Sequence, residues 1–105
     1  MDDRSQNKLQ YFVVISNPKR QDVYTSLLKD HGARGIGVVY GHGSANVGAL
    51  ARAFGFENLQ EKILITCLVS TQNAKELIDI FYRDYSFDKP NTGIAYCVPV
   101  EGLMF

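Results

Sequence analysis

The side chains that could do chemistry here are few, and their spacing rules out most of what they might do together. Gly41-His42-Gly43-Ser44 follows an apolar run, Lys62 opens another, and Asn91-Thr92-Gly93 leads into a third. Gly41-x-Gly43 with Gly48 downstream fits neither the dinucleotide-binding spacing nor the P-loop spacing. Taken alone it reads as a turn that ends a strand. Ser44 lacks the strand-to-helix elbow that would make it a nucleophile. His42 has no Asp, Cys or second histidine at local ligand spacing, and His31 lies across a helix, so a metal site within one chain is not expected. Symmetry copies of His42 could still meet in an oligomer, which the sequence leaves open. Cys67 and Cys97, the two cysteines, each sit in the middle of an apolar run with no Cys-x-x-Cys pattern. They read as small buried hydrophobes of a reducing compartment. Lys62 fits either a solubilising strand end or a ligand contact.

Two strand-helix-strand segments of like pattern must position these residues. The first runs from Leu9 to Tyr40. Tyr11–Ile15 is continuously apolar and reads as a central strand. Asn17-Pro18 marks a helix start, and Val23, Leu27 and Leu28 are expected on the buried face of that helix. His31 and Gly32 suit its last turn and its left-handed stop. Gly35–Tyr40 forms the second strand. The second segment runs from Lys62 to Val100, with a strand from Ile63 and a helix capped by Ser70 or Thr71. Ala74, Leu77, Ile78, Phe81 and Tyr85 form the stripe of that helix, and a last strand follows Gly93. Pro99 places the end of this last strand at a sheet edge. Cys67 and Cys97 then lie on strands separated by the first strand, too far apart for a disulfide.

A doubled βαβ unit of this size gives an α+β, ferredoxin-like βαββαβ sandwich. Its four-stranded antiparallel sheet carries two helices on one face. The long loop between the second and third strands, 44–60, holds a short helix. Val47, Leu50, Ala51 and Phe54 fall on one stripe between Asn46 and Gly55. Phe54 and Phe56 would be costly to leave in water, so this loop is expected to dock on a surface. Residues 1–7 are polar and read as a flexible leader, and 8–105 as a single domain.

The strands are apolar on both sides. Ile63, Ile65, Cys67 and Val69 alternate with Leu64, Thr66 and Leu68, and Tyr11, Val13 and Ile15 alternate with Phe12 and Val14. Two short helices cover one face; the other is expected to meet further copies of the chain in a closed homo-oligomer. Eleven basic residues balance eleven acidic ones with no basic stripe, which argues against nucleic acid. No apolar run reaches the length of a membrane span. A cytoplasmic protein without membrane insertion is expected.

Three segments carry a resemblance to a known family. His31-Gly32-Ala33-Arg34-Gly35-Ile36-Gly37-Val38-Val39-Tyr40-Gly41-His42-Gly43 resembles the helix-to-second-strand junction of PII nitrogen-regulatory proteins. Glu61-Lys62-Ile63-Leu64-Ile65 is similar to that family's third strand. Gly93-Ile94-Ala95-Tyr96-Cys97-Val98-Pro99-Val100 is similar to its fourth, including the closing Val-Pro-Val. The resemblance implies a homotrimeric signalling protein, not an enzyme, that binds adenine nucleotides between subunits and grips an unidentified target protein through the 44–60 loop. On this chain it implies ligand contacts from Gly41, His42, Gly43, Ser44, Lys62, Asn91, Thr92 and Gly93, and target contacts from Val47, Leu50, Phe54 and Phe56. Backbone amides at the glycines and the Lys62 cation suit phosphate oxygens.

The chain also departs from the family. Ile94 stands where the family has a lysine, and Ser44 where it often has an arginine. The strand before Gly41 is shorter than in classical members. The C-terminal residues to Phe105 include no arginine, and the 44–60 loop has no tyrosine for modification. Each lost cation removes a charge-assisted bond of ~1.5–3 kcal/mol from a triphosphate site. The expectation is therefore a short, divergent PII-like regulator of a small effector, with an adenine nucleotide as candidate and no cofactor held firmly. Two alternatives stand beside it. One is a ligand-independent structural or interaction module with a vestigial cleft. The other, ranked last, is a protein like the similarly shaped trimers linked to divalent-metal tolerance.

Overall fold

β-Branched and aromatic side chains fill Leu9–Ser16, and this run forms β1, an interior strand of the sheet. The structure, a computed structural model, describes residues 8–40, 62–89 and 92–101. After β1 come a 3-10 turn at Pro18–Arg20, helix α1 at Gln21–Asp30 and strand β2 at Arg34–Tyr40. Strand β3 spans Ile63–Ser70, helix α2 Thr71–Asp84 and strand β4 Gly93–Pro99. The four strands form one antiparallel sheet in the order β2-β3-β1-β4. This is the expected α+β sandwich. The long 44–60 loop and its short helix lie outside the described residues.

Local chemistry explains where the elements begin and stop. Asn17 accepts a hydrogen bond on Oδ1 from the Lys19 N–H at 2.9 Å, and Pro18 needs no donor in the first turn. The α1 chain ends in a Schellman arrangement: Gly32 has φ +77, its N–H bonds Lys29 O, and the Ala33 N–H bonds Leu28 O. Ser70 Oγ accepts from the Asn73 N–H at 3.1 Å and starts α2. In β2 an extra residue sits between the Arg34–Leu68 and Gly37–Thr66 pairs, where Gly35 takes φ +61. A glycine-bearing bulge of that kind twists the edge strand.

Both helices pack on the face that carries Phe12, Val14, Ile63, Ile65, Cys67, Val69 and Ala95. Alternate burial along β3 follows the pleat, as expected. From α2, Ala74, Leu77 and Phe81 are buried, with Ile78 and Tyr85 partly so. The stripe of α1 differs from the expected one. Val23 is 40% exposed, and Tyr24, 4% exposed, is buried with Leu28 instead. A tyrosine ring covers more apolar area than a valine and can pack edge-on against other rings. Tyr24 does this against Phe81, Tyr85 and Phe87, with centroids 5.3, 5.4 and 5.6 Å away.

Candidate functional site

Register brings one end of each of the four strands into a single row at one end of the sheet. Tyr40 pairs with Ile63, Ile63 with Ser16, and Ser16 with Gly93, so these residues form a terminal row across all four strands. Lys62 enters β3 at this row and Thr92 enters β4. Strands β3 and β4 are separated by β1 alone, so their ends stand about 10 Å apart at ordinary strand spacing. Tyr40, at the same row, is the last described residue before Gly41. Of the site residues expected from sequence, Lys62, Thr92 and Gly93 are thus gathered at one sheet edge. Gly41, His42, Gly43, Ser44 and Asn91 lie outside the described residues, as do Val47, Leu50, Phe54 and Phe56.

Lys62 is only 9% exposed, an unusual place for an ammonium group, and it is engaged in an interaction there. Gly93 is buried, and the tip of the Phe87 ring fills the space a side chain would take. Its glycine therefore serves packing on the helix side, whatever its amide does at the edge. Phe87 was not singled out by sequence reasoning; the signal available was an aromatic residue within a turn otherwise made of turn formers. Thr92 is half-buried.

The remaining candidates for chemistry are held by the fold. His31 Nδ1 lies 3.0 Å from Leu27 O of its own helix, and Nε2 lies 4.0 Å from Glu76 Oε2 of α2. Cys67 and Cys97 both pair with Phe12 across β1, on opposite sides of it. Both thiols are free. Burial pushes the Cys67 thiol up to about 11 and raises that of Cys97 as well. Such thiols are poor nucleophiles at neutral pH. Among the described residues, no three of His, Cys, Asp or Glu come together as a metal-binding group. No helix among them is long and apolar enough to cross a membrane.

The face away from the helices is a second surface with a regular pattern. Its rows, read across the sheet, are Val39–Leu64–Ile15–Ile94, Gly37–Thr66–Val13–Tyr96, and Arg34–Leu68–Tyr11–Val98. Val13 and Ile15 are buried beneath Leu64, Ile94 and Tyr96, while Tyr11, Val39 and Val98 are exposed. Burial, and then the neighbouring Tyr11, raises the pKa of the Tyr96 hydroxyl. Ile94 packs into this apolar face.

No family model matches the chain, and no curated protein matches its sequence. Its similarity is to solved structures. CPII of Thiomonas intermedia, a nitrogen regulatory PII-like protein solved with ADP, AMP and acetate, is 19% identical with a TM-score of 0.63, covering 90% of each chain. The Arabidopsis thaliana PII protein bound to citrate is 21% identical with a TM-score of 0.58, covering 90% of this chain and 78% of the other. The GlnK–ATP complex of B. subtilis is 12% identical with a TM-score of 0.54, covering 89% of this chain and 84% of the other. With two helices on one face of a sheet ordered β2-β3-β1-β4, this chain has the fold of the PII-like nitrogen regulatory proteins.

Proposed function

We propose that this chain is a divergent PII-like signal-sensing regulator, cytoplasmic and homotrimeric. It binds a small effector between subunits near Gly41–Ser44, Lys62 and Asn91–Gly93 and contacts a target protein through the 44–60 loop. One observation carries the reading: the sheet presents a second, largely apolar face that its own helices do not cover. Exposed Tyr11, Val39 and Val98 on that face are ordinary residues for a subunit interface and unusual ones, taken together, for open solvent. The row Tyr40–Ile63–Ser16–Gly93 supports the location of the effector, because it brings Lys62 and Thr92 to one edge.

Among proteins of this fold, CPII is seen with ADP and AMP, together with acetate or bicarbonate, and plant PII with citrate. An adenine nucleotide is accordingly the first effector to try. Titration calorimetry with ATP, ADP, AMP and cyclic dinucleotides tests this. Binding that weakens on Lys62→Ala supports the site; binding by none of them, with Lys62→Ala indistinguishable from the parent, removes the nucleotide from the account.

Ile94 favours a second reading. Where a phosphate-binding cation would stand, the chain has a side chain packed into the Val13–Ile15 cluster. In that reading the trimer persists, the cleft is vestigial, and the loop is a constitutive docking surface. Target capture that is indifferent to added metabolites distinguishes it from effector-controlled capture.

A further inference from the structure

A cavity of about 400 Å³ opens on the helix side, between the Pro18–Arg20 turn, the start of α1 and the end of α2. That volume suits a small organic molecule. Two consecutive cations, Lys19 and Arg20, stand in its wall. Asp84 is the acid that faces them, and its carboxylate lies 3.4 Å from Arg83 Nε. The wall is therefore net positive and already has a partner for its one negative charge.

Tyr24 gives the cavity a second requirement. The residue is 4% exposed, and its ring is enclosed by Phe81, Tyr85 and Phe87. What remains toward the cavity is the hydroxyl end, near Arg20, and it makes no hydrogen bond among the described residues. The hydroxyl is open to the cavity, so it is free to donate to an acceptor that enters. Ser86 and Thr92 add two more hydroxyl side chains to the same wall. Ser86 is held there at φ +60, a conformation that glycine adopts far more cheaply. Tyr85, half-buried, adds an aromatic surface.

We propose that this cavity binds a small aryl-bearing oxyanion, a phosphate monoester or a carboxylate. The anionic head meets Lys19, Arg20 and the Tyr24 hydroxyl, and the flat body lies against Tyr85. The site is distinct from the subunit-boundary site proposed above and does not depend on it, although Thr92 borders both. A ligand here bears on the turn between α2 and β4 from the helix side.

Phenyl phosphate, benzoate and inorganic phosphate are the probes, followed by amide chemical shifts and calorimetry on the full chain. Phenyl phosphate or benzoate is expected to shift signals of residues 17–24 and 84–89 and to bind more tightly than inorganic phosphate. Which of the two binds better identifies the preferred head group. Lys19→Gln with Arg20→Gln weakens binding roughly tenfold or more, the loss expected for a charge-assisted bond. Tyr24→Phe keeps the ring packing and weakens binding several-fold, while Lys62→Ala leaves it unchanged. Shifts confined to other regions, equal binding by the Lys19/Arg20 variant, or loss of binding in Lys62→Ala would each overturn the proposal. If inorganic phosphate binds as tightly as phenyl phosphate, the aromatic part of the proposal fails.

Discussion

The tip of the Phe87 ring abuts the Cα of Gly93: a Cβ at Gly93 would lie 2.6 Å from both Cε1 and Cε2, and nearer still to Cζ. Phe87 cannot easily retreat, since its ring packs 4.9 Å from that of Phe81 and edge-on to Tyr24. This contact fastens the start of β4 to the helix layer and sets where the preceding turn leaves the sheet.

Gly93→Ala is therefore expected to destabilise the chain by about 1–3 kcal/mol, the usual cost of overpacking. Thermal melting should show a loss of about 4–8 °C for each kcal/mol. In the double variant with Phe87→Ala the added methyl enters space the ring has left. The two losses should then fall well short of additive, which a double-mutant cycle measures directly.

Ser86→Gly should act in the opposite direction. A left-handed L-residue costs roughly 1–2 kcal/mol that glycine avoids, part of which is returned through the greater freedom of glycine in the unfolded chain. A net gain of up to about 1 kcal/mol in denaturant unfolding is expected. Binding of phenyl phosphate should weaken at the same time, because the Ser86 hydroxyl is gone. A loss of stability instead would mean that the serine side chain holds the turn.

Cys67 gives a pH signature. Its thiol, about 9 when unfolded, is raised by burial to about 11 in the fold. The folded state thus favours the neutral thiol. Its contribution is fully present below pH 9 and disappears as pH rises through 11. The loss amounts to about 2–3 kcal/mol. Cys67→Ala should flatten the stability profile across this window, leaving the alkaline loss from Tyr24 and Tyr96, whose hydroxyls are also raised. With a thiol reagent at pH 8, the half-buried Cys97 should react before the buried Cys67.

Val98 tests the second face. It is 46% exposed and pairs with Tyr11, so a charge there is tolerated within one subunit. Placed in an apolar interface, three symmetry-related carboxylates would be desolvated together. Val98→Glu is expected to shift the assembly toward monomer in native mass spectrometry while the far-UV circular dichroism stays the same.

Much of the fold could be read from the sequence because the relevant rules are local. The alternation of Ile63 to Val69 announced two apolar faces, and Asn17, Gly32 and Ser70 announced caps and a stop. The α1 face was read one residue early, since Val23 and Tyr24 fit a helical stripe almost equally well. What decides for Tyr24 is a cluster with Phe81, Tyr85 and Phe87, whose members come from distant parts of the chain. Gly93, a ligand contact by the family resemblance, has a packing role against a member of the same cluster, Phe87. The cavity beside Lys19 and Arg20 could not be anticipated, because two exposed cations at a helix start are ordinary until α2 ends opposite them. Of the expected site residues, Lys62 and Thr92 share one end of the sheet because strand register puts them there.

The account turns on what covers the Tyr11–Val13–Ile15 side of the sheet. Multi-angle light scattering on the purified chain at micromolar concentration measures this most directly. The expected mass is three times the 11.8 kDa of one chain. A stable species at the mass of a single chain would contradict it, and the effector site between subunits would fall with it.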